Sequence, residues 1–569
     1  MPKTVAVGIQ DFEEIIERNC FYIDKTHFIK EWWENGDSVT LLTRPRRFGK
    51  TLNMSMVEKF FSIAYKDRGN LFEGLFIWNQ EEYRMLQGTY PVISLSFANV
   101  KEINYASTKT RICQLLADLY DKHYFLLTSG LLTENEKKFF LSVSMEMDEV
   151  IATLALHKLS DFLYRYYNKK VIILLDEYDT PMQEAYVNGF WDELAVFTRS
   201  LFNATFKTNP YLSRAIMTGI TRVSKESIFS DLNHLKIVTT TSEKYATSFG
   251  FTEKEVFLAL EEYGFYDKKE EVKRWYNGFT FGMYTDIYNP WSVLNFLATG
   301  KLEAYWANTS SNRLISKILQ EGSQRMKLSF ETLLKGDCIS CAIDEQIVYS
   351  ALAGNETAVW SLLLASGYLK VVKKEEDKIE GEPLQYSLKL TNGEVKDMFF
   401  GLVRDWFGTT ESSYNDFVEA MLRNDLKAMN VYMNDIAMEV FSCFDTGRRK
   451  SRIEPERFYH GFVLGLMVEL KKDYFITSNR ESGFGRYDVM LEPKDKRKNA
   501  MILEFKVHEP EEEQTLQDTV NIALKQIEEK QYKAGLLAKG FESKNIYEYG
   551  FAFEGKKILI GSRAKKEDG

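Results

Sequence analysis

SVTLLTRPRRFGKTLNMSMVEKFF, residues 38–61, sets the β-prone run Val39–Thr43 before a basic turn that ends Gly49-Lys50-Thr51. Beyond the turn, Leu52, Met56 and Phe60 recur at helical spacing. Strand, loop and helix with a lysine at the hinge is the layout of a phosphate-binding loop. Each part has a physical reason: N–H groups at a helix start point at an anion, and glycine admits close approach of the backbone. Lysine neutralises phosphate charge, and a threonine hydroxyl ligates Mg²⁺. The usual pattern GxxxxGK[ST] has glycine where this chain has Arg44, so the first turn must be made differently, with Pro45 fixing φ. Arg46, Arg47, Phe48, Gly49, Lys50 and Thr51 are the expected nucleotide contacts, with Thr51 on the metal. The bland alternative is a basic turn capping a helix.

Further along, Lys170-Val-Ile-Ile-Leu-Leu-Asp176-Glu177 describes a strand buried on both faces that ends in acids. A carboxylate at such a tip holds the Mg²⁺ shell and the next acid polarises the attacking water, which assigns Asp176 to the metal and Glu177 to catalysis. A third strand, Arg214-Ala-Ile-Met-Thr218, leads into Gly219-Ile220-Thr221-Arg222; Thr218 and Arg222 are candidates to sense and stabilise the γ-phosphate. Strands alternating with helical patterns predict a parallel sheet with helices on both faces. Capping only, or an ordinary surface arginine, is the plain reading of each motif taken alone.

From about residue 250 the texture becomes helical, opening with the capping box Thr252-Glu-Lys-Glu255. The aromatic turns Trp275-Tyr-Asn-Gly278 and Tyr288-Asn-Pro-Trp-Ser292 read as packing between helices. Residues 360–390 read as a helix and a two-stranded wing. A helical connector ends in the basic cluster Arg448, Arg449, Lys450, Arg452 and Arg457.

The last hundred residues are α/β again. Residues 485–491 and 501–507 read as strands joined by a charged turn, and a strand period of two puts Glu504 and Lys506 on one face with Asp488 beside them. Two carboxylates and a lysine suit metal-dependent phosphodiester hydrolysis. The acids hold the metal, and the lysine positions or deprotonates the nucleophile. Asp488, Glu504 and Lys506 are therefore the expected cutting residues, the two acids also being metal ligands, with Glu469 and Gln526 in support. A salt-bridged lysine on a half-exposed sheet is the alternative.

At 569 residues the chain is too long for one core, and 44% hydrophobic residues suffice for several. A net charge of −9 argues against a broad basic nucleic-acid face, though not against a local basic cleft. Five scattered cysteines resemble no disulfide framework or zinc site. No secretory signal or membrane-length apolar run is visible, so the expected location is cytoplasmic, away from membranes.

The motifs Phe21-Tyr-Ile-Asp-Lys-Thr26, Arg44 to Thr51, Leu174 to Asp179, Thr218 to Arg222 and Tyr288 to Ser292 together resemble the AAA-ATPase-like family of bacterial and archaeal proteins. The C-terminal segment resembles the PD-(D/E)xK nuclease superfamily, with Tyr487 where the label has proline. The resemblance implies an α/β chain with a P-loop NTPase (AAA-like) domain, a helical, winged-helix-like middle region and a restriction-endonuclease-like α/β domain. It also implies that an Arg-Pro-Arg-Arg-Phe loop in place of the first glycine is a feature of the family. The expected divisions are 1–250 for the P-loop domain, 251–407 for the lid, 408–454 for the connector and 455–569 for the nuclease-like domain. ATP and Mg²⁺ are the expected cofactors, and nucleic acid and a further copy of the chain the candidate partners. The expected function is an ATPase coupled to a metal-dependent nuclease. The alternative is a nucleotide-dependent switch whose nuclease-like domain binds nucleic acid or protein without cutting.

Overall fold

The computed structural model describes residues 2–221, 228–229, 232–307, 315, 318, 324–344, 355–374, 384–407, 411–440, 470, 473–482, 485–510, 512–554 and 557–563. Arg222, Glu469 and the basic cluster at 448–457 lie outside the described residues. The chain forms two compact units, Met1–Ile318 with Gly336–Lys396, and Leu319–Lys335 with Asp397–Gly569.

Unit 1 is built on a five-stranded parallel sheet of β1 (Val39–Thr43), β2 (Val92–Ser96), β3 (Val171–Asp176), β4 (Leu212–Gly219) and β5 (Leu235–Val238), in the order β2-β3-β4-β1-β5. β1 and β3 are buried at every residue, as central strands between two helical layers are, including the polar Thr40, Thr43 and Asp176. The strand that feeds the loop and the strand that ends in acids are not neighbours, because β4 lies between them. Thr43 pairs with Gly219 and Leu175 with Met217, so the C-terminal tips of β1, β4 and β3 stand in a row. The short edge strand β5 was not anticipated; it carries Lys236 and is half-exposed, which weakens its strand signal.

The helix Lys50–Phe61 follows the loop and buries Met56, Val57, Phe60 and Phe61 against Phe12, Phe28, Trp32 and Ile172. Each such side chain contributes roughly 2–3 kcal/mol by leaving water, which anchors the helix start under the strand tips. Two antiparallel sheets complete the unit. One joins β6 (Phe251–Thr252), β7 (Phe279–Phe281) and β8 (Tyr284–Tyr288) in the order β6-β8-β7. The other joins β9 (Ile339–Ala342), β10 (Leu369–Lys374) and β11 (Gln385–Leu390) in the order β10-β11-β9, so the expected wing has a third strand.

Unit 2 carries a mixed sheet of β12 (Tyr474–Ser482), β13 (Gly485–Pro493), β14 (Ala500–Val507), β15 (Ile546–Glu554) and β16 (Lys557–Ser562) in sequence order. Only the β14–β15 pair is parallel. The crossover between them contains the helix Leu516–Glu529, whose Val520, Leu524 and Ile527 pack on Met490, Ile502 and Ile546. Phe417, Met421, Met429 and Met433 cover the opposite face through Val489, Leu491 and Leu503. β14 is thus sandwiched, and a charged residue within it needs a polar partner. No helix among the described residues is long and apolar enough to cross a membrane.

Candidate functional site

Gly49 starts the loop helix in the left-handed region at φ 79°, with nothing within 4 Å of where a Cβ would stand. Conformation rather than space therefore calls for glycine there. Lys50 is almost fully buried, and its ammonium donates to the carbonyls of Arg44 (3.2 Å) and Pro45 (3.0 Å) inside the curl of the loop. Thr51 Oγ1 donates to Asp176 Oδ2 at 2.7 Å, and Thr218 Oγ1 donates to Asp176 Oδ1. One buried carboxylate is thereby held by hydroxyls from the loop helix and from β4. Burial raises the Asp176 carboxyl above its ordinary range against those hydrogen bonds.

Glu177 sits at φ 52°, a sparsely populated conformation for a side-chain-bearing residue. Its N–H donates to Thr218 Oγ1 at 3.3 Å, and its Oε2 accepts from Thr180 Oγ1 at 3.0 Å. Burial alone would raise its carboxyl, but Lys50, the Thr180 hydroxyl, Arg46 and Lys101 outweigh it and hold Glu177 below its ordinary range. Lys101, which follows β2, acts on Glu177 through its charge because β2 neighbours β3, a proximity the sequence does not signal. Two residues after Glu177, Asp179 Oδ2 accepts from the N–H groups of Ile220 and Thr221 (2.9 Å each), Thr221 Oγ1 (3.0 Å) and Gln183 Nε2 (3.1 Å). Gln183 in turn accepts from Arg46 Nη2 at 3.2 Å, which ties the loop to the turn after β4. A Cβ on Gly219 would come within 2.7 Å of Asp179 Oδ1, so glycine is required where that carboxylate closes on the turn.

The place of the missing first glycine is occupied by a structural cation. Arg44 is completely buried, and its guanidinium donates to the carbonyls of Thr43 (2.9 Å), Thr239 (2.8 Å), Lys244 (3.2 Å) and Tyr245 (3.4 Å). It also lies 4.4 Å from the ring centroid of Phe281. Burial pushes its pKa down to about 9, partly offset by Glu31, and it stays charged at neutral pH. Each following loop residue is gripped from the second half of the unit. Pro45 lies against Gly367, and the Arg46 carbonyl accepts from Trp306 Nε1 at 3.0 Å. The Arg47 guanidinium lies 4.2 Å from the Trp291 ring, and Phe48 is buried against Phe279 and Phe281. Of the expected nucleotide contacts, Phe48 has its ring in the core, which leaves only its backbone on the loop surface. Trp291 and Trp306 are the contributors that sequence reasoning passed over. The aromatic turn at 288–292 has the composition of packing, and only its cation partner Arg47 distinguishes it.

In unit 2, the three expected residues do converge. Asp488 N donates to Glu504 Oε2 at 3.4 Å and Phe505 N donates to Asp488 Oδ2 at 2.9 Å, which locks the acids of β13 and β14 side by side. Lys506 Nζ lies 3.9 Å from Glu504 Oε1, and Gln526 Nε2 donates to that same oxygen. Gln526 also donates to Tyr532 Oη at 3.3 Å, and burial, together with Glu504 and Asp488, raises the Tyr532 phenol. Glu504 is 1% exposed, a costly position for a carboxylate unless it is paired or bound to a cation. Among the described residues no group of three or more His, Cys, Asp and Glu could hold a metal. Two carboxylates nonetheless match Mg²⁺, which keeps several waters and takes one or two protein acids. Thr51 with Asp176 is the same kind of hard-oxygen set.

Residues 6–229 match the family model described as predicted AAA-ATPase, and residues 454–563 match that of the PD-(D/E)XK nuclease superfamily. A protein of Azotobacter chroococcum mcd 1, described as the uncharacterized protein in the vnfD 5' region, is 26% identical over 400 residues. That alignment covers 69% of this chain and 68% of the relative. An AAA-ATPase-like region and a PD-(D/E)XK region thus stand in one chain, in the order that the sequence motifs implied.

Proposed function

From a chain that joins an AAA-ATPase-like region to a nuclease-superfamily region, we propose a nucleotide-controlled nuclease: unit 1 binds and hydrolyses ATP, and unit 2 cuts nucleic-acid phosphodiesters. The supporting observation is that each unit sets a nearly buried carboxylate, Asp176 or Glu504, within reach of a lysine and of polar side chains from separate elements. Buried acids assembled in this way are expensive without a bound cation or a reaction to serve.

In this reading Lys50 and the N–H groups at the start of the loop helix take the phosphates, with Arg46 and Arg47 at the rim. Thr51 and Asp176 would hold Mg²⁺. Glu177, kept ionised by its neighbouring cations, orients the attacking water, and Thr218 fixes both Asp176 and the Glu177 backbone. In unit 2, Asp488 and Glu504 would hold the metal, Lys506 places the nucleophile, and Gln526 orients Glu504. The metal supplies a Lewis acid and a water of lowered pKa. Nucleic acid is the partner of unit 2, and the cytoplasm is the compartment.

A cleavage assay on DNA and RNA, with and without ATP and Mg²⁺, tests both sites together. Metal-dependent cutting that changes with ATP and disappears in Glu504→Gln is the expected result. ATP binding without cleavage would favour the switch, in which unit 2 recognises its partner uncut. Cleavage that survives Glu504→Gln would sink the assignment of the cutting site.

A further inference from the structure

The loop's grip converges on one side chain outside it. Glu394 opens the helix Gly393–Phe407 and is fully buried. Its Oε2 accepts from Ser292 Oγ at 2.9 Å, and its Oε1 accepts from the N–H groups of Trp306 and Ala307. Ser292 adjoins Trp291, which stacks on Arg47; Trp306 holds the Arg46 carbonyl. Trp306 is itself wedged between Phe279 and Tyr368, with centroids 5.7 and 5.4 Å away. Arg47 is at φ 64°, a left-handed conformation that a side-chain-bearing residue keeps only where its surroundings enforce it. A guanidinium over an indole face supplies such enforcement.

We propose that Glu394 is a positioning residue for the phosphate loop: by joining the segments that carry Trp291 and Trp306, it sets Arg47 and Arg46 and thereby the affinity for a nucleoside triphosphate. This rests on the nucleotide-binding reading of the loop. Glu394 touches neither the loop nor any residue assigned to phosphate, so its influence runs through the two tryptophans. Burial pushes its carboxyl up to about 7 against the hydrogen bonds from the Ser292 hydroxyl and the peptide N–H groups, which lower it.

The test uses the full chain with Mg²⁺ and a fluorescent ATP analogue, together with the rate of tryptic cleavage after Arg46 and Arg47. Trp306→Phe removes the indole N–H while keeping a ring, and Glu394→Ala removes the acceptor. Each should weaken the nucleotide about tenfold and speed loop cleavage, and their combination should be no weaker than the worse single variant. Glu394→Gln keeps an acceptor oxygen and should return affinity to within about threefold of wild type. Should Glu394→Ala fail to fold, Trp306→Phe and Ser292→Ala carry the same comparison. Unchanged affinity and cleavage in Trp306→Phe, or losses that simply add, would overturn the proposal. A wild type that binds no ATP, with variants that still expose the loop to trypsin, would remove the nucleotide reading and leave the clamp standing.

Discussion

The two carboxylate sites are assembled in opposite ways. The site of unit 2 is local: a hairpin supplies Asp488, Glu504 and Lys506, and the next helix and its end supply Gln526 and Tyr532. The loop of unit 1 draws its scaffold from distant segments: Arg44 is bound to carbonyls at 239–245, Pro45 to Phe48 rest on residues 279–367, and Arg46 and Thr51 also bond Gln183 and Asp176. A local site can be altered at one acid without disturbing its fold, whereas a loop held from a distance cannot lose a support and keep its shape.

The largest consequence falls on unit 2. Glu504→Gln should abolish metal-dependent cleavage, by about a hundredfold or more, because the acid is needed only when the metal is bound. Its melting midpoint should hold or rise, since removing a buried charge relieves a desolvation cost. A melting drop as large as the activity loss would erase the distinction between the two sites.

Next comes Arg44→Gly, which restores the common loop pattern in sequence. It should destabilise unit 1 by about 3–5 kcal/mol, because four carbonyls, three of them buried contacts, lose a charged donor and a large side chain leaves a void. Urea unfolding measures this. A neutral or stabilising outcome would mean that the loop makes its own turn.

The smallest effect concerns pH. Glu394 has a folded pKa raised to about 7 by burial, so its contribution to stability is present below the ordinary carboxyl range and is lost as pH rises through about 7. That contribution is about 3 kcal/mol at roughly 1.4 kcal/mol per pH unit. Melting curves at pH 5 and pH 8 should therefore lie closer together for Glu394→Gln than for wild type. An unchanged gap would place the titrating group elsewhere.

The same contrast explains what could be read in the sequence. Period-two alternation placed Glu504 and Lys506 on one face, and the strand-loop-helix pattern located Lys50 and Thr51, because both signals lie within a few residues. The acid-tipped strand was equally legible in its apolar run. Arg44 looked like a defect because its acceptors are backbone carbonyls, which leave no trace in residue identity. The turn that carries Trp291 reads as core for a related reason, because aromatic packing and loop clamping have one composition and only the Arg47 stack tells them apart; Trp306 and Glu394 carry no sequence signal of their own. Strand β5 went unseen because an edge strand of four residues with a lysine lacks the run that marked its neighbours.

Calorimetric titration of the full chain with ATP in the presence of Mg²⁺ tests the central claim most directly. The account predicts one site per chain in wild type, lost in Lys50→Ala and weakened in Asp176→Asn. Absence of a binding heat in wild type, or a titration unchanged by Lys50→Ala, would contradict it.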